Sequence, residues 1–191
     1  MCIRTKIWFT SRARMNAERR YKTYNSILNW LVIFYAFSLI AIALVALGTG
    51  ESLFETPLIL LLNIATFTTA CMTFAGNFSG KASEHRECYL RLDRLNSDTS
   101  QDVDSKYHEL LAGYQNHHQV DYLKILVDEK ILRKRTCTDS KGVVIKLSRV
   151  AYLTYFLRKA WFWLVVAVCF AIPFLIIARL IVALLFQGDS S

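Results

Sequence analysis

The amino-acid sequence predicts an all-α membrane protein: an N-terminal two-helix transmembrane hairpin, a helical cytoplasmic region and a third C-terminal transmembrane helix. Two uncharged runs, residues 23–50 and 56–80, are separated by five residues, and residues 160–178 form a third uncharged run. A helix crosses a hydrocarbon core of roughly 30 Å with about 20 apolar residues, so each run is long enough to span. A soluble domain of 191 residues would have to bury three helices that are apolar all round, which is unfavourable.

The predicted organisation has four parts. A basic juxtamembrane segment (1–26) precedes the hairpin (27–78), whose helices are expected at 27–47 and 57–78. A cytoplasmic helical region (79–159) follows, and then the third membrane helix (160–186). The first apolar run is not expected to be a cleaved signal peptide, because it is too long and begins after 22 largely polar and basic residues.

Charge placement predicts the orientation. Residues 1–26 contain seven Lys or Arg against the single acid Glu18, whereas the turn of the hairpin contains Glu51 and Glu55 and no base. Because basic residues are retained on the cytoplasmic side, the N terminus is predicted to be cytoplasmic. Residues 79–159 hold 15 Lys or Arg against 11 acids and are placed on the same side, so the C terminus is predicted to lie outside.

Two interpretations of the N-terminal segment remain open. Trp8 and Phe9 are followed by four arginines, which is typical of an amphipathic helix on an anionic membrane surface. Guidance of topology explains the same charges. Direct nucleic-acid binding is not predicted, because these bases lie next to a membrane span and no recognised nucleic-acid-binding motif surrounds them.

The region after the hairpin has the periodicity of helices. Apolar residues at 82, 88, 89, 92 and 95 predict that the second membrane helix continues as an amphipathic stalk, which ends in the polar stretch 96–101. A second helix is predicted from about residue 100 or 102, and a third over 119–135. His117 and His118 are expected near a helix end. Residues 143–147 are predicted as either a short strand or the start of the last helix.

One face of the second membrane helix is polar or small. Its members recur at intervals of 3, 4, 3 and 4 residues, which places them on one side of a helix: Asn63, Thr66, Ala70, Thr73 and Asn77. Such a face is unfavourable towards lipid, so it is expected to contact protein or water. Packing of helices through small and hydrogen-bonding side chains and lining of a pore both explain it, and both remain open.

Arg179 is the one formal charge within the apolar segments. It lies six residues beyond Pro173 and is predicted to be near the outer leaflet, where a long side chain can extend to the interface. Pairing with Glu51 or Glu55, which the topology places on the same side, is the alternative. That pair would hold the hairpin against the third helix.

No motif in the sequence indicates catalysis. The chain has no phosphate-binding loop, no dinucleotide fingerprint, no nucleophile elbow and no HExxH sequence. Its five cysteines include no CxxC pair and are predicted to be reduced thiols that contribute to packing. Its four histidines have no metal-ligand spacing. We therefore predict a protein that is not an enzyme and needs no cofactor or metal.

The sequence resembles the SLATT family, the two-transmembrane effectors of bacterial conflict systems. The resemblance rests on the basic lead-in SRARMNAERRYKTYNSI, the hairpin with its short turn, and the helix FAGNFSGKASEHRECYLRLDRL, and it covers roughly residues 10–135. The matching positions after the hairpin are Ala82, His85, Arg86, Tyr89, Leu92 and Leu95. The third apolar helix departs from a two-helix pattern, and the long cytoplasmic insert suits a branch of the family that is linked to reverse transcriptases.

The resemblance implies a multi-pass protein of the bacterial inner membrane that oligomerises and permeabilises the membrane in anti-phage defence. Its implied partners are membrane lipid, copies of itself, and a cytoplasmic sensor or enzyme such as a reverse transcriptase or a nucleotide-signal synthase. The competing interpretation is a membrane anchor that docks such an enzyme and conducts nothing.

Overall fold

The computed structural model describes residues 3–49, 56–116, 118–131 and 148–187. These residues form six helices: α1 (Ile3–Thr49), α2 (Thr56–Gly76), α3 (Phe78–Ser97), α4 (Val103–Ala112), α5 (Gln119–Ile131) and α6 (Arg149–Gln187). Within these ranges the chain contains no strand. The predicted all-α fold is confirmed.

Three stretches are long and apolar enough to cross a membrane. They lie within Ile3–Leu47, Ile59–Ser97 and Arg149–Arg179. The exposed side chains along the spans are mostly large and apolar, among them Phe37, Leu61 and Phe174, as expected of surfaces that contact lipid. The chain is therefore a membrane protein with three candidate spans.

The chain divides into two compact units. The first comprises residues 1–23 and 78–160, and the second comprises residues 24–77 and 161–191. The second unit contains the predicted spans. The first unit combines the basic N-terminal segment with the region after the hairpin, so two segments that are distant in sequence fold together.

In the second unit, α1 packs against α2 and α6. Leu31 and Tyr35 on α1 form a buried cluster with Leu62 on α2 and Ile176 on α6. The buried residues of this part of α1 are Leu31, Tyr35, Ser38 and Ile42, at intervals of 4, 3 and 4, which is the seam expected of packed helices. Aromatic contacts between α1 and α6 add to it: Tyr24 with Phe162 and Phe34 with Phe170.

In the first unit, the N-terminal turns of α1 are part of the core. Ile7 is buried together with Cys88 and Leu92 of α3 and with Val103 and Tyr107 of α4. The buried side chains on this half of α1 include polar ones: Ile7, Ser11, Ala13, Arg14, Ala17 and Glu18. The segment therefore has a role beyond the two that its basic charge suggested, because one face of it is the packing surface for the helices that follow the hairpin.

The predicted stalk is a separate helix. α2 ends at Gly76, Asn77 adopts a left-handed conformation with φ 42°, and α3 begins at Phe78. Asn is one of the few residues other than Gly that adopt this conformation readily. The helical stretch from Ile59 to Ser97 is thus interrupted at one residue.

The helices after the stalk begin close to where the periodicity places them. α4 begins at Val103 and α5 at Gln119, and His118 precedes α5 as predicted. Asp121 accepts a hydrogen bond from the His118 backbone N–H at 3.2 Å, while His118 Nδ1 accepts one from the Val120 N–H at 3.3 Å. This reciprocal pair is similar to a capping box, except that the His118 side chain bonds to the N–H two residues later instead of three. His117 and residues 132–147, including the stretch predicted as strand or helix, lie outside the described residues.

Candidate functional site

The polar face of α2 bonds to its own backbone. Asn63 Nδ2 donates to the Ile59 carbonyl at 3.0 Å, Thr66 Oγ1 to the Leu62 carbonyl at 2.8 Å, and Thr73 Oγ1 to the Thr69 carbonyl at 2.8 Å. Thr69 makes the same bond to the Ala65 carbonyl at 2.7 Å. Because the three threonine hydroxyls already have acceptors one turn earlier, they need no second helix to satisfy them, whereas the Asn63 carboxamide keeps one N–H and its oxygen available.

The members of this face lie at the surface of the single chain. Asn63 and Ala70 are exposed, and Thr66 and Thr73 are half-buried, whereas Leu62 is buried in the cluster with α1 and α6. Asn77 is also exposed, but it lies beyond the end of α2 in the left-handed turn. The accessible polar surface thus consists of one carboxamide, several hydroxyls and small side chains, which can contact another helix or water.

Arg179 is exposed on α6. Glu51 and Glu55 lie outside the described residues, so the pair between either of them and Arg179 remains a prediction.

The stalk residues lie on α3, and the structure divides them by burial. His85, Leu92 and Leu95 are buried, Tyr89 is half-buried and Arg86 is exposed. The apolar members contribute to the core of the first unit. His85 belongs instead to a buried polar cluster.

That cluster surrounds Arg14, whose side chain is fully buried. Its Nη1 lies 3.2 Å from His85 Nδ1 and donates to the backbone carbonyl of Gln115, while Nε and Nη2 are buried without a hydrogen-bond partner among the residues that the structure describes. Since a guanidinium can only donate, His85 Nδ1 must be the acceptor and the imidazole must be neutral, with its proton on Nε2. The Tyr21 ring stacks on the imidazole with centroids 5.5 Å apart.

An ion pair lies on the same half of α1. Arg20 Nε donates to Asp121 Oδ1 at 3.0 Å and Arg20 Nη2 donates to Asp121 Oδ2 at 2.8 Å. Asn16 Nδ2 donates to the Asp121 backbone carbonyl at 3.2 Å. One carboxylate thus holds α1 to α5 and also caps α5. Two further bonds join α1 to the unit: Ser11 to Asp93 at 2.8 Å, and Thr10 with Tyr107 at 2.8 Å.

Burial shifts the pKa of His85 and of Cys88 in this unit. The pKa of His85 is lowered, mainly because burial disfavours the imidazolium and further because the Arg14 charge is close; Glu84 and Asp121 oppose this shift, and Arg20 adds to it. Burial likewise raises the pKa of the Cys88 thiol. Sequence reasoning missed Arg14, Arg20 and Asp121, whose contacts with α1, α3 and the α4–α5 region join residues 71 to 105 positions apart.

The described residues include no group of three or more His, Cys, Asp or Glu that could hold a metal ion. A groove of about 400 Å³ on the first unit is lined by three cations with one acid and two leucines: Arg91, Arg94, Lys106, Asp98, Leu95 and Leu110. Lys106 Nζ donates to Asp98 Oδ2 at 2.9 Å. The pKa of Asp98 is lowered to about 2, mainly by the hydrogen bond from the Ser100 backbone N–H and further by the bond from Lys106.

Comparison with known proteins places these features in a family. Neither the curated proteins nor the solved structures yielded a match. One protein family matches over residues 3–179, which includes the N-terminal half of α1 and most of α6. The sequence analysis treated the third apolar helix as a departure from the two-helix pattern. The family match nevertheless includes this helix up to Arg179. The chain belongs to the SMODS and SLOG-associating 2TM effector domain family 5 (SLATT_5), a family of membrane effectors of conflict systems.

Proposed function

We propose that this protein is an oligomeric effector of anti-phage defence that permeabilises the bacterial inner membrane when a cytoplasmic partner activates it. Membership of the SLATT_5 effector family supports the membrane and conflict-system parts of this proposal. The observation that carries the pore is the polar face of α2, where Asn63 and Ala70 are exposed and Thr66 and Thr73 are half-buried in the single chain.

The bonding of that face suits a conditional pore. Thr66, Thr69 and Thr73 each donate to a carbonyl of their own helix, so these hydroxyls can lie against a neighbouring α2 without a buried donor lacking an acceptor. Hydroxyl oxygens retain acceptor capacity, and the Asn63 carboxamide has further donors and acceptors, so the same surface can bind water. Assembly of several copies would bring these faces together around one axis.

Leakage of a dye from liposomes that contain the full chain and its activated partner tests the proposal. We expect Asn63→Leu and Thr73→Leu to abolish leakage while insertion and helix content remain unchanged. Leu61→Val is the matched control, because Leu61 is exposed on the other side of α2 and its replacement leaves the polar face intact. Unchanged leakage in both polar variants would exclude this face as the pore lining.

A docking role is the second candidate. The groove lined by Arg91, Arg94 and Lys106 gives the first unit a site at which an acidic surface of a cytoplasmic enzyme, such as a reverse transcriptase, could bind. On this interpretation the wild-type chain with its partner causes no leakage, and Arg94→Glu removes the enzyme from membranes. Leakage by the wild type would favour the pore.

A further inference from the structure

Pro173 lies inside α6, in the part that packs against α1. Proline has no backbone N–H, so the carbonyl of Cys169, four residues earlier, lacks the hydrogen bond that residue 173 of a regular helix would donate to it. Pro173 is among the most completely buried side chains of the chain. Water is scarce at such a position, and an unsatisfied carbonyl there is strongly unfavourable.

Tyr35 of α1 supplies the missing donor. Its hydroxyl donates to the Cys169 carbonyl at 3.0 Å, and only 4% of the tyrosine surface is exposed. The contact lies within the packed seam, since the rings of Phe34 and Phe170 meet beside it with centroids 5.8 Å apart. The one carbonyl that proline deprives of a donor within α6 is therefore the carbonyl that α1 binds.

We propose that Tyr35 and Pro173 form a hydration-sensitive latch between α1 and α6. While the seam is dry, the Cys169 carbonyl has one available donor, and α6 cannot leave α1 without losing it. When water enters the seam, a water molecule replaces the Tyr35 hydroxyl and α6 can separate. The inference deepens the proposed function, since entry of water accompanies the opening of a pore, but its test does not require leakage.

The latch differs from ordinary packing in one respect. Most bonds from a side chain to a helix carbonyl add to a bond that the carbonyl already accepts, so their loss leaves no unsatisfied group. Here loss of the tyrosine hydroxyl leaves the carbonyl with no donor, and the effect must depend on the residue at position 173. Alanine at that position restores the N–H that bonds to the Cys169 carbonyl.

Cys169 itself can report the state of the seam. In the full chain in liposomes, with the other four cysteines replaced by alanine, the rate at which a water-soluble maleimide reacts with Cys169 measures access of water. We expect Tyr35→Phe, which keeps the ring, to raise this rate by about 3- to 20-fold, the range of a single interhelical hydrogen bond in a membrane. In a Pro173→Ala background the same replacement is expected to change it by less than about 2-fold.

Ser38→Ala is the matched control. Ser38 is a fully buried hydroxyl one turn along α1 that donates to the Phe34 carbonyl at 2.8 Å, and this carbonyl also has its ordinary donor within the helix. Its effect on the rate is expected to be the same with Pro or Ala at position 173. An effect of Tyr35→Phe that is equal in both backgrounds, or no effect in either, would overturn the latch.

Insertion provides a second measurement if Tyr35→Phe does not fold. Failure of Tyr35→Phe to insert, combined with normal insertion of Tyr35→Phe with Pro173→Ala, supports the latch. Failure in both backgrounds contradicts it, because restoring the N–H should remove the defect. Loss of leakage in the α2 variants concerns a different helix and leaves these rates unchanged, so the two proposals can fail separately.

Discussion

Replacement of Asp121 by Asn tests whether the N-terminal half of α1 is held in the fold by the ion pair between Arg20 and the buried Asp121. The Asp121 side chain is 3% exposed and that of Arg20 is 22% exposed, and two hydrogen bonds of 3.0 and 2.8 Å join them. Asn keeps the size of the side chain but removes the charge, and it leaves Arg20 with a neutral partner. It also weakens the acceptor that caps the His118 N–H.

The expected cost follows from the burial of the two partners. Removal of one member of a fully buried pair costs about 3–5 kcal/mol. Because Arg20 is partly exposed and can turn towards water, and because the Asn carbonyl can still accept one hydrogen bond, we expect about 2–3 kcal/mol. For a unit of this size that corresponds to a fall in melting temperature of roughly 10–20 °C.

Thermal unfolding of the full chain in detergent, followed by far-ultraviolet circular dichroism, measures this change. Glu87→Gln is the matched control, since Glu87 also pairs with an arginine, Arg91, but both side chains are more than half exposed (55% and 56%). Its cost is expected to stay below about 1 kcal/mol. If Asp121→Asn shifts the melting temperature no more than Glu87→Gln does, burial does not give the Arg20 pair its strength and the reasoning is refuted.

Three further predictions concern two residues of the first unit, His85 and Cys88, and the turn at Asn77 that precedes α3. The pKa of His85 is lowered by burial and by Arg14, so at mildly acidic pH the unfolded chain binds a proton that the folded chain excludes. The free energy of unfolding should therefore fall as pH drops below about 6.5. His85→Asn should flatten this part of the pH–stability curve, measured by urea unfolding. Asn77→Gly should leave the melting temperature unchanged, whereas Asn77→Val should cost about 1–2 kcal/mol at φ 42°; equal effects would contradict a left-handed turn. Cys88, whose thiol pKa is raised by burial, should react with a water-soluble maleimide only after urea unfolds the chain, and rapid reaction of the folded protein would show that it is accessible.

The sequence was sufficient to predict the spans because they depend on local composition. Each uncharged run overlaps one of the three helical stretches that the structure shows, and the apolar spacing predicted the starts of α4 and α5 to within about three residues. The length of α1 was not predicted, although a signal was present: residues 3–47 contain neither Gly nor Pro, so nothing in the chain ends a helix between the basic segment and the first span. Likewise α6 begins at Arg149 rather than at residue 160.

The polar interior of the first unit could not be predicted from one sequence. Arg14, Arg20 and Lys22 carry the same charge, yet Arg14 is fully buried, Arg20 pairs with Asp121, and the exposed Lys22 pairs with the buried Glu18 at 2.6 Å. Their burial and partners differ because α3 and α5, which lie far along the chain, pack against some of these side chains and not others. Charge counting treats them alike and attributes all of them to membrane orientation.

The burial of Ile7, Ser11 and Arg14 changes how a shortened form of this protein should behave. A chain that begins at Tyr24 would retain every apolar span and would look intact by hydropathy. It would lack the helix against which α3 and α4 bury Cys88, Leu92 and Tyr107, and their apolar faces would be left open to water. Loss of activity after such a deletion would therefore indicate that the first unit no longer folds. A peptide of residues 1–23 added separately would distinguish this from loss of a targeting signal, because it could restore the packing of the first unit but could not restore targeting of the shortened chain.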